Sequence, residues 1–319
     1  MKVFIIYNDD FDQYDNIEKC EIERVCDALM MLGHTIECCP IDKIGDLSSV
    51  LHGDLVFNLF EGSANNPESE VLIAERLEKM SMPFTGNSSS TLKYTLDKID
   101  MKTLLRDCGI RTPNHIKITL YTNDVNIKGL RFPLIIKPRS NDASNGIDFD
   151  NVVYQTSTLM DKIESMLSRY HEVIVEDYID GREFNVGLLG KKNEMKVTAI
   201  SEIVYDFPVT VPKILTFDSK WKKDSLYFND SSPVCPADVN DDMKFDLYNL
   251  AIKSCEATGC EGYARVDLRQ DEKNNNYVLE VNANPDLSDD AGFVLQATQS
   301  GLSYVNLIDE IVKCAMMSR

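Results

Sequence analysis

GYARVDLRQDEKNNNYVLEVNANP, residues 262–285, places Arg265, Asp267, Glu280, Asn282 and Asn284 on what read as two neighbouring strands. In an extended strand successive side chains point to opposite faces, so Tyr263, Arg265 and Asp267 share one face while Ala264, Val266 and Leu268 take the other. The same alternation puts Glu280, Asn282 and Asn284 together and turns Leu279, Val281 and Ala283 away. The polar run RQDEKNNN between the two segments reads as a hairpin loop, and antiparallel pairing then brings both polar faces onto one side of a sheet. Two carboxylates, carboxamides and an arginine converge there. Hard oxygen ligands suit Mg²⁺, which takes one or two protein carboxylates and completes its octahedron with water and substrate phosphates. A merely solvated sheet face would interleave Lys and Thr instead of gathering carboxylates beside an arginine.

The composition narrows what such a site can serve. The chain has 319 residues, 43% hydrophobic and 27% charged, which suits a folded protein of two or three domains with a substantial core. Its 33 basic and 52 acidic side chains leave a net charge of −19, which repels nucleic acid and anionic membrane. A polyanionic ligand therefore needs a local positive pocket and a metal. The opening MKVFIIYNDD lacks the apolar core of a secretory signal, and no stretch approaches transmembrane length. Nine cysteines are scattered without a CxxC pair, which suits reduced thiols better than a zinc site. Together these features lead us to expect a cytoplasmic protein.

Working outward, VFIIY, a helical pattern from Ile17 to Leu32, HTIECC and DLVFNLF form an α/β layer. A helix from Glu68 to Met80 and a short strand at Pro83 to Thr85 would complete a small parallel sheet. TGNSSST reads as a boundary, and TLDKIDMKTLLRDCG as one helix ended by Gly109. Next come the strand FPLIIKP, the polar loop RSNDASNG, a helix from Thr158 to Arg169 and the strand EVIVEDYI. REFNVGLLG and EMKVTAI form a hairpin, followed by an irregular segment from Glu202 to Ala237, a helix from Asp241 to Thr258, the metal-bearing hairpin, and a last helix from Tyr304 to Met317. Loops as long as the irregular segment are usually functional or disordered.

Lys137 ends an apolar strand, where an ammonium needs an anionic partner unless it snorkels to water. The loop after it can turn backbone N–H groups toward an anion with help from a hydroxyl such as that of Ser144. It is neither a Walker loop nor a GxGxxG turn. VIVEDYIDGREF offers Glu176 and Glu183 around a turn at Gly181; Glu183 is either a ribose acceptor or a solubilising group. Lys98 and Lys220, ordinary singly, together supply the positive charge that a triphosphate needs.

PFTGN, LDKIDMK, FPLIIKP, VEDYIDGREF, ARVDL and LEVNANP, in that order, resemble the ATP-grasp superfamily and within it the D-alanine:D-alanine ligase-like carboxylate–amine ligases, over nearly the full length. The resemblance implies an α/β (α+β) architecture of three domains. These are an N-terminal Rossmann-like parallel-sheet domain over residues 1–92, a small central α+β domain over 93–182, and a C-terminal antiparallel-sheet domain over 183–319. It implies ATP and one or two Mg²⁺ ions, which Mn²⁺ can replace, amino-acid or peptide substrates, and a homodimer. By resemblance Lys98, Lys137 and Ser144 bind phosphates, and Glu176 to Ile179 form the adenine hinge, through the backbone of Asp177 and Ile179. Glu183 holds ribose, Lys220 rides on a mobile closing loop, and Arg265 steadies the transferred phosphoryl group. Asp267, Glu280 and Asn282 hold the metal.

Two departures bear on the substrate. YNDDFDQYDNIEKCE replaces the family's glycine-rich start, and NANPDLSDDAGF replaces its NTxPG turn. Asp286, with Asp289 and Asp290 after it, would repel a carboxylate and favour an amine or a cation. The expected activity is ATP-dependent amide formation through an acyl phosphate, with two alternatives: a genuine D-alanine:D-alanine ligase of peptidoglycan synthesis, or an ATP-binding protein without catalysis.

Overall fold

The computed structural model describes the chain except residues 10–16, 42–46, 63–65, 123, 142–143, 223, 226, 229 and 319. The first elements are β1 (Lys2–Asn8), α1 (Ile17–Met31), β2 (Thr35–Ile41), β3 (Leu55–Asn58) and α2 (Ser69–Lys79), with the strands in a parallel sheet of order β2-β1-β3. Val3, Phe4, Ile5 and Ile6 are all buried, because helices cover both faces of this sheet and leave no side for polar alternation. Val3 and Ile5 pack with Val25 and Leu29 of α1, while Phe4 and Ile6 share a cluster with Ile73 and Leu77 of α2. The strand expected at Pro83 to Thr85 is reduced to a single parallel bridge between Phe84 and Val56.

The helix expected from Thr95 to Gly109 begins at Lys98, and a further helix that was not expected lies before it. α3 (Ser89–Leu96) and α4 (Lys98–Asp107) are separated by Asp97, which leaves the helical region at φ −86°, ψ 99°. Its side chain accepts from the amides of Ile99 (3.0 Å) and Asp100 (3.1 Å), so it caps the second helix better than it continues the first. The polar cluster expected as a boundary holds the N-cap of α3, where Ser88 accepts from the Thr91 amide.

The next unit contains β4 (His115–Thr119), β5 (Leu134–Pro138), β6 (Val152–Val153), α5 (Thr156–Tyr170) and β7 (Glu172–Asp177), the strands forming an antiparallel sheet β4-β7-β5-β6. Leu159, Ile163 and Met166 of α5 cover one face, against Ile136, Val173 and Val175. The largest sheet follows, with β8 (Glu183–Gly190), β9 (Lys196–Tyr205), α6 (Phe217–Trp221), β10 (Ser231–Val234), α7 (Asp241–Thr258), β11 (Gly262–Gln270) and β12 (Asn276–Asn282). Its order is β10-β9-β8-β11-β12, antiparallel throughout. The segment expected to be irregular from Glu202 to Ala237 thus contains the end of β9, a short helix and a strand that pairs with β9. α8 (Gly292–Gln299) and α9 (Tyr304–Ser318) close the chain. Leu307, Ile308 and Ile311 of α9 join Val3 and Ile5 in one cluster, so the end of the chain completes the core of its beginning.

Asn87 joins the first and last sheets. Fully buried, its amide nitrogen donates to the carbonyls of Tyr263 (3.0 Å) and Ala283, and its oxygen accepts from the Glu261 amide (2.8 Å). Gly86 precedes it at φ +88°, where a side chain would also strike Asn284. Asn87→Ala leaves these buried groups without partners and should lower stability by roughly 2–4 kcal/mol, read as a lower urea midpoint at unchanged slope.

Candidate active site

A cleft of about 1270 Å³ is lined by Lys98, Lys137, Ser144, Glu176, Asp177, Ile179, Glu183, Arg265, Asp267, Glu280, Asn282 and Asp286, among others. β11 and β12 pair as the alternation predicts, with Arg265 opposite Asn282 and Asp267 opposite Glu280. Two carboxylates directly opposed across strands repel each other unless a cation intervenes.

The cation at Asp267 is a guanidinium. Arg265 donates to both oxygens, Nε to Oδ1 at 2.8 Å and Nη2 to Oδ2 at 2.9 Å, which is possible because the two residues are on one face. Asn185 adds a bond to Oδ1 (2.7 Å) and Asn282 one to Oδ2 (2.9 Å). Four donors fill the four lone-pair positions of this carboxylate. Burial, with Glu280 and Glu183 nearby, still pushes the Asp267 carboxyl up against the opposing influence of Arg265. Glu280 behaves oppositely: burial would raise its carboxyl, but Lys98, Lys137, Arg265 and Lys102 outweigh it and hold the group below its ordinary value. The donor set of two carboxylates and a carboxamide in register fits a hard divalent cation. For Asp267 to serve as a ligand, Arg265 or an amide must first release one of its oxygens.

Glu176 organises the lysines. It is 1% exposed, and its two oxygens face Lys137 Nζ at 2.6 Å and Lys102 Nζ at 3.1 Å. Burial would raise this carboxyl, yet the two ammonium groups bring it down to about 2. Lys102, equally buried, also donates to the Leu279 carbonyl (2.6 Å) and the Thr112 hydroxyl (3.3 Å). Lys98, at the first position of α4, donates to the Asn141 carbonyl at 2.5 Å. Glu176 thus positions Lys137 from beneath, and contributes no free oxygen of its own to the cleft.

The remaining candidates divide into those in the cleft and those outside it. The Asp177 amide donates to the Asn114 carbonyl (2.9 Å), and its side chain accepts from Asn114 Nδ2 (2.9 Å) and the Arg131 amide (2.8 Å). The Ile179 carbonyl accepts from Arg269 (3.0 Å), whereas its N–H has no partner among the described residues. Glu183 Oε2 accepts from Tyr205 (2.7 Å) and Arg269 (2.5 Å). Ser144 lines the cleft at φ +60°; Asp142 and Ala143 beside it lie outside the described residues. The backbone of Lys220 belongs to α6, but its side chain lies outside the described residues. Asp286 lines the cleft and accepts from the Ser288 amide (2.8 Å). Asp289 and Asp290 are exposed and do not line it, and Asp289 pairs with Arg24 at 2.9 Å.

Sequence reasoning passed over Lys102 and Arg269. Both carried a signal: Lys102 follows Lys98 at i+4 on one helix, and Arg269 continues the 265–267 face of β11. It also passed over Glu21, Glu61 and Glu70, which line the cleft from the N-terminal part of the chain.

Lysines from one antiparallel sheet and the helix α4, facing a carboxylate–arginine face on a second sheet, are the arrangement of the ATP-grasp class. Residues 104–313 match the family model described as D-ala D-ala ligase C-terminus. A protein of Sinorhizobium fredii designated y4sG is 32% identical over 303 residues, covering 92% of this chain and 86% of that one. A D-alanine–D-alanine ligase of a Marinomonas species is 26% identical over 280 residues, covering 86% and 81%. Among solved structures, the D-alanine–D-alanine ligase of Bacillus anthracis complexed with ATP superposes with a TM-score of 0.80 at 21% identity, covering 99% of this chain and 97% of that one. The VanG D-Ala:D-Ser ligase of Enterococcus faecalis gives 0.81 at 20% identity, covering 98% and 99%. The chain belongs to the D-Ala–D-Ala ligase family and is an enzyme of the ligase class. Among its described residues no helix is long and apolar enough to cross a membrane.

The low Glu176 carboxyl has a consequence for acid stability. Its ordinary value is 4.5 and its folded value about 2, so between these the unfolded chain binds more protons. The stabilisation is complete above the first value and is lost as pH falls toward the second. Glu176→Gln should flatten the dependence of urea stability on pH over that interval. At neutral pH it should cost about 3 kcal/mol or more, because Lys102 loses its counter-ion.

Proposed function

We propose that the protein is an ATP- and Mg²⁺-dependent carboxylate–amine ligase that joins an amino acid or small peptide to an amine other than a second D-alanine. The observation that carries this reading is the convergence of Lys98, Lys137, Arg265, Asp267, Glu280 and Asn282 on one cleft. Three domains, over 1–92, 93–182 and 183–319, would build it, with nucleotide between the second and third. Lys98 and Lys137 hold phosphate oxygens, the latter oriented by Glu176, and Ser144 assists from the loop. The Ile179 N–H and the Asp177 backbone meet the base, and Glu183 holds ribose through the oxygen that Arg269 and Tyr205 leave open. Asp267, Glu280 and Asn282 would hold the metal, which when bound neutralises phosphate charge. Mn²⁺ meets the same oxygen donors.

Arg265 is placed to turn from Asp267 to the phosphoryl group in transfer. A substrate carboxylate takes that group from ATP to give an acyl phosphate, and an amine then displaces phosphate to form the amide. No side-chain nucleophile is needed; the chain positions reactants and stabilises charge. Lys220 would close over the phosphates. ATP supply and reduced thiols fit a cytoplasmic setting; the eight described cysteines form no disulfide. Glu21, Glu61, Glu70 and Asp286 on the cleft wall favour an amine-bearing or cationic substrate over an anionic one. The second reading, a D-alanine–D-alanine ligase, is favoured by the names of curated relatives over most of the chain.

ADP release measured across a panel of amino acids and amines distinguishes them. Turnover that requires an amine other than D-alanine is the expected result, and turnover on D-alanine alone establishes the second reading. ADP release unresponsive to every pair defeats both. Arg265→Ala should lower kcat by about 10²–10³-fold while ATP still binds by calorimetry.

A further inference from the structure

We propose that Cys26 and Cys38 form an oxidation site, a dithiol that closes to a disulfide joining α1 to β2. The sulfurs lie 3.5 Å apart, Cys26 half-buried on the helix and Cys38 exposed on the strand. The register explains the meeting. β2 is an edge strand on which Cys38 pairs with Ile5 and Cys39 with Ile6. Neighbours in register point to one side, so Cys38 shares the face on which Ile5 packs against Val25 and Leu29 of α1. Cys39 turns to the opposite face, in the cluster of Phe4 and Ile6, and cannot reach Cys26.

A disulfide is about 2.05 Å long, so the sulfurs need to close by about 1.5 Å. Access and acidity order the steps. Burial and the neighbouring Cys38 push the Cys26 thiol up to about 12, which makes it a poor first nucleophile, whereas Cys38 meets solvent. The Cys38 thiolate attacks one sulfur of a low-molecular-weight disulfide and expels one thiolate. Cys26 then gives up its proton, attacks Cys38 Sγ, and the second small thiol leaves. Two protein thiols are oxidised and one small disulfide is reduced to two thiols. The helix pinned by this bond also carries Glu21, which holds the Leu287 amide (3.0 Å) at the cleft wall, and Arg24, which holds Asp289.

The test uses the full chain at graded ratios of oxidised to reduced glutathione. Expected is a mass loss of about 2 Da with no retained glutathione. Digestion at glutamates cuts at Glu37 between the two thiols, and the fragments carrying Cys26 and Cys38 should remain joined until reduced. Cys38→Ser should abolish the link, Cys39→Ser should leave it, and Cys26→Ser should trap glutathione on Cys38, with far-UV circular dichroism confirming that each variant is folded. A link from Cys20 or Cys39, a stable adduct on wild-type Cys38, or thiols that stay reduced at every ratio would overturn the proposal.

Discussion

One buried carboxylate between two ammonium groups underlies the geometry of the cleft. Removing such charges from water costs several kcal/mol each, and only close opposite charges and further hydrogen bonds offset that cost. Glu176 has an ammonium group at each oxygen, Lys137 and Lys102, and the further hydrogen bonds are those of Lys102 to Leu279 and Thr112. Lys102 reaches β7 through Glu176 and β12 through the Leu279 carbonyl, so a single ammonium ties the central sheet to the C-terminal one. The two walls that would hold a nucleotide are held in register by the same group that sets the field around Lys137. A smaller or neutral side chain at Lys102 would leave both walls without their common anchor.

Charge in the cleft is arranged by origin. The central sheet and α4 contribute the lysines, β11 and β12 contribute the opposed acids with Arg265, and the N-terminal part adds Glu21, Glu61 and Glu70. In a protein of net charge −19 this concentration of lysines is local, and it lowers the repulsion that a triphosphate would otherwise meet. Arg265 occupies the position of counter-charge for Asp267, whose four lone pairs are all taken. Arg265 thus offsets part of the cost of burying Asp267 opposite Glu280.

Arg269 has a comparable structural role behind the turn that joins β7 to β8. It donates to Glu183 and to the carbonyls of Ile179 and Lys213, and lies 5.3 Å from the Tyr178 ring centre. Its guanidinium fixes the chain reversal between β7 and β8 where Gly181 passes so close to the Gln270 carbonyl that no side chain would fit. The reversal between β7 and β8 is thus held from within, and among the described residues the Ile179 N–H has no partner.

Most elements were legible from period and punctuation alone: the apolar run of β1, the 3.6-residue patterns of α1, α5 and α7, and the alternation that put Arg265 and Asp267 on one face opposite Glu280 and Asn282. The reading fell short where a cap or a partner strand decides: Asp97 caps α4, so that helix begins at Lys98 and not at Thr95, and within 202–237 β10 pairs with the edge that β9 offers. What the amino-acid order determined by itself was which side chains share a face, since that follows from backbone geometry within one element. Which faces meet was decided only by tertiary structure. The partners of Lys102, Asn87 and Arg269 lie far away along the chain, and nothing local encodes a contact that forms only when separate hydrophobic faces are buried together.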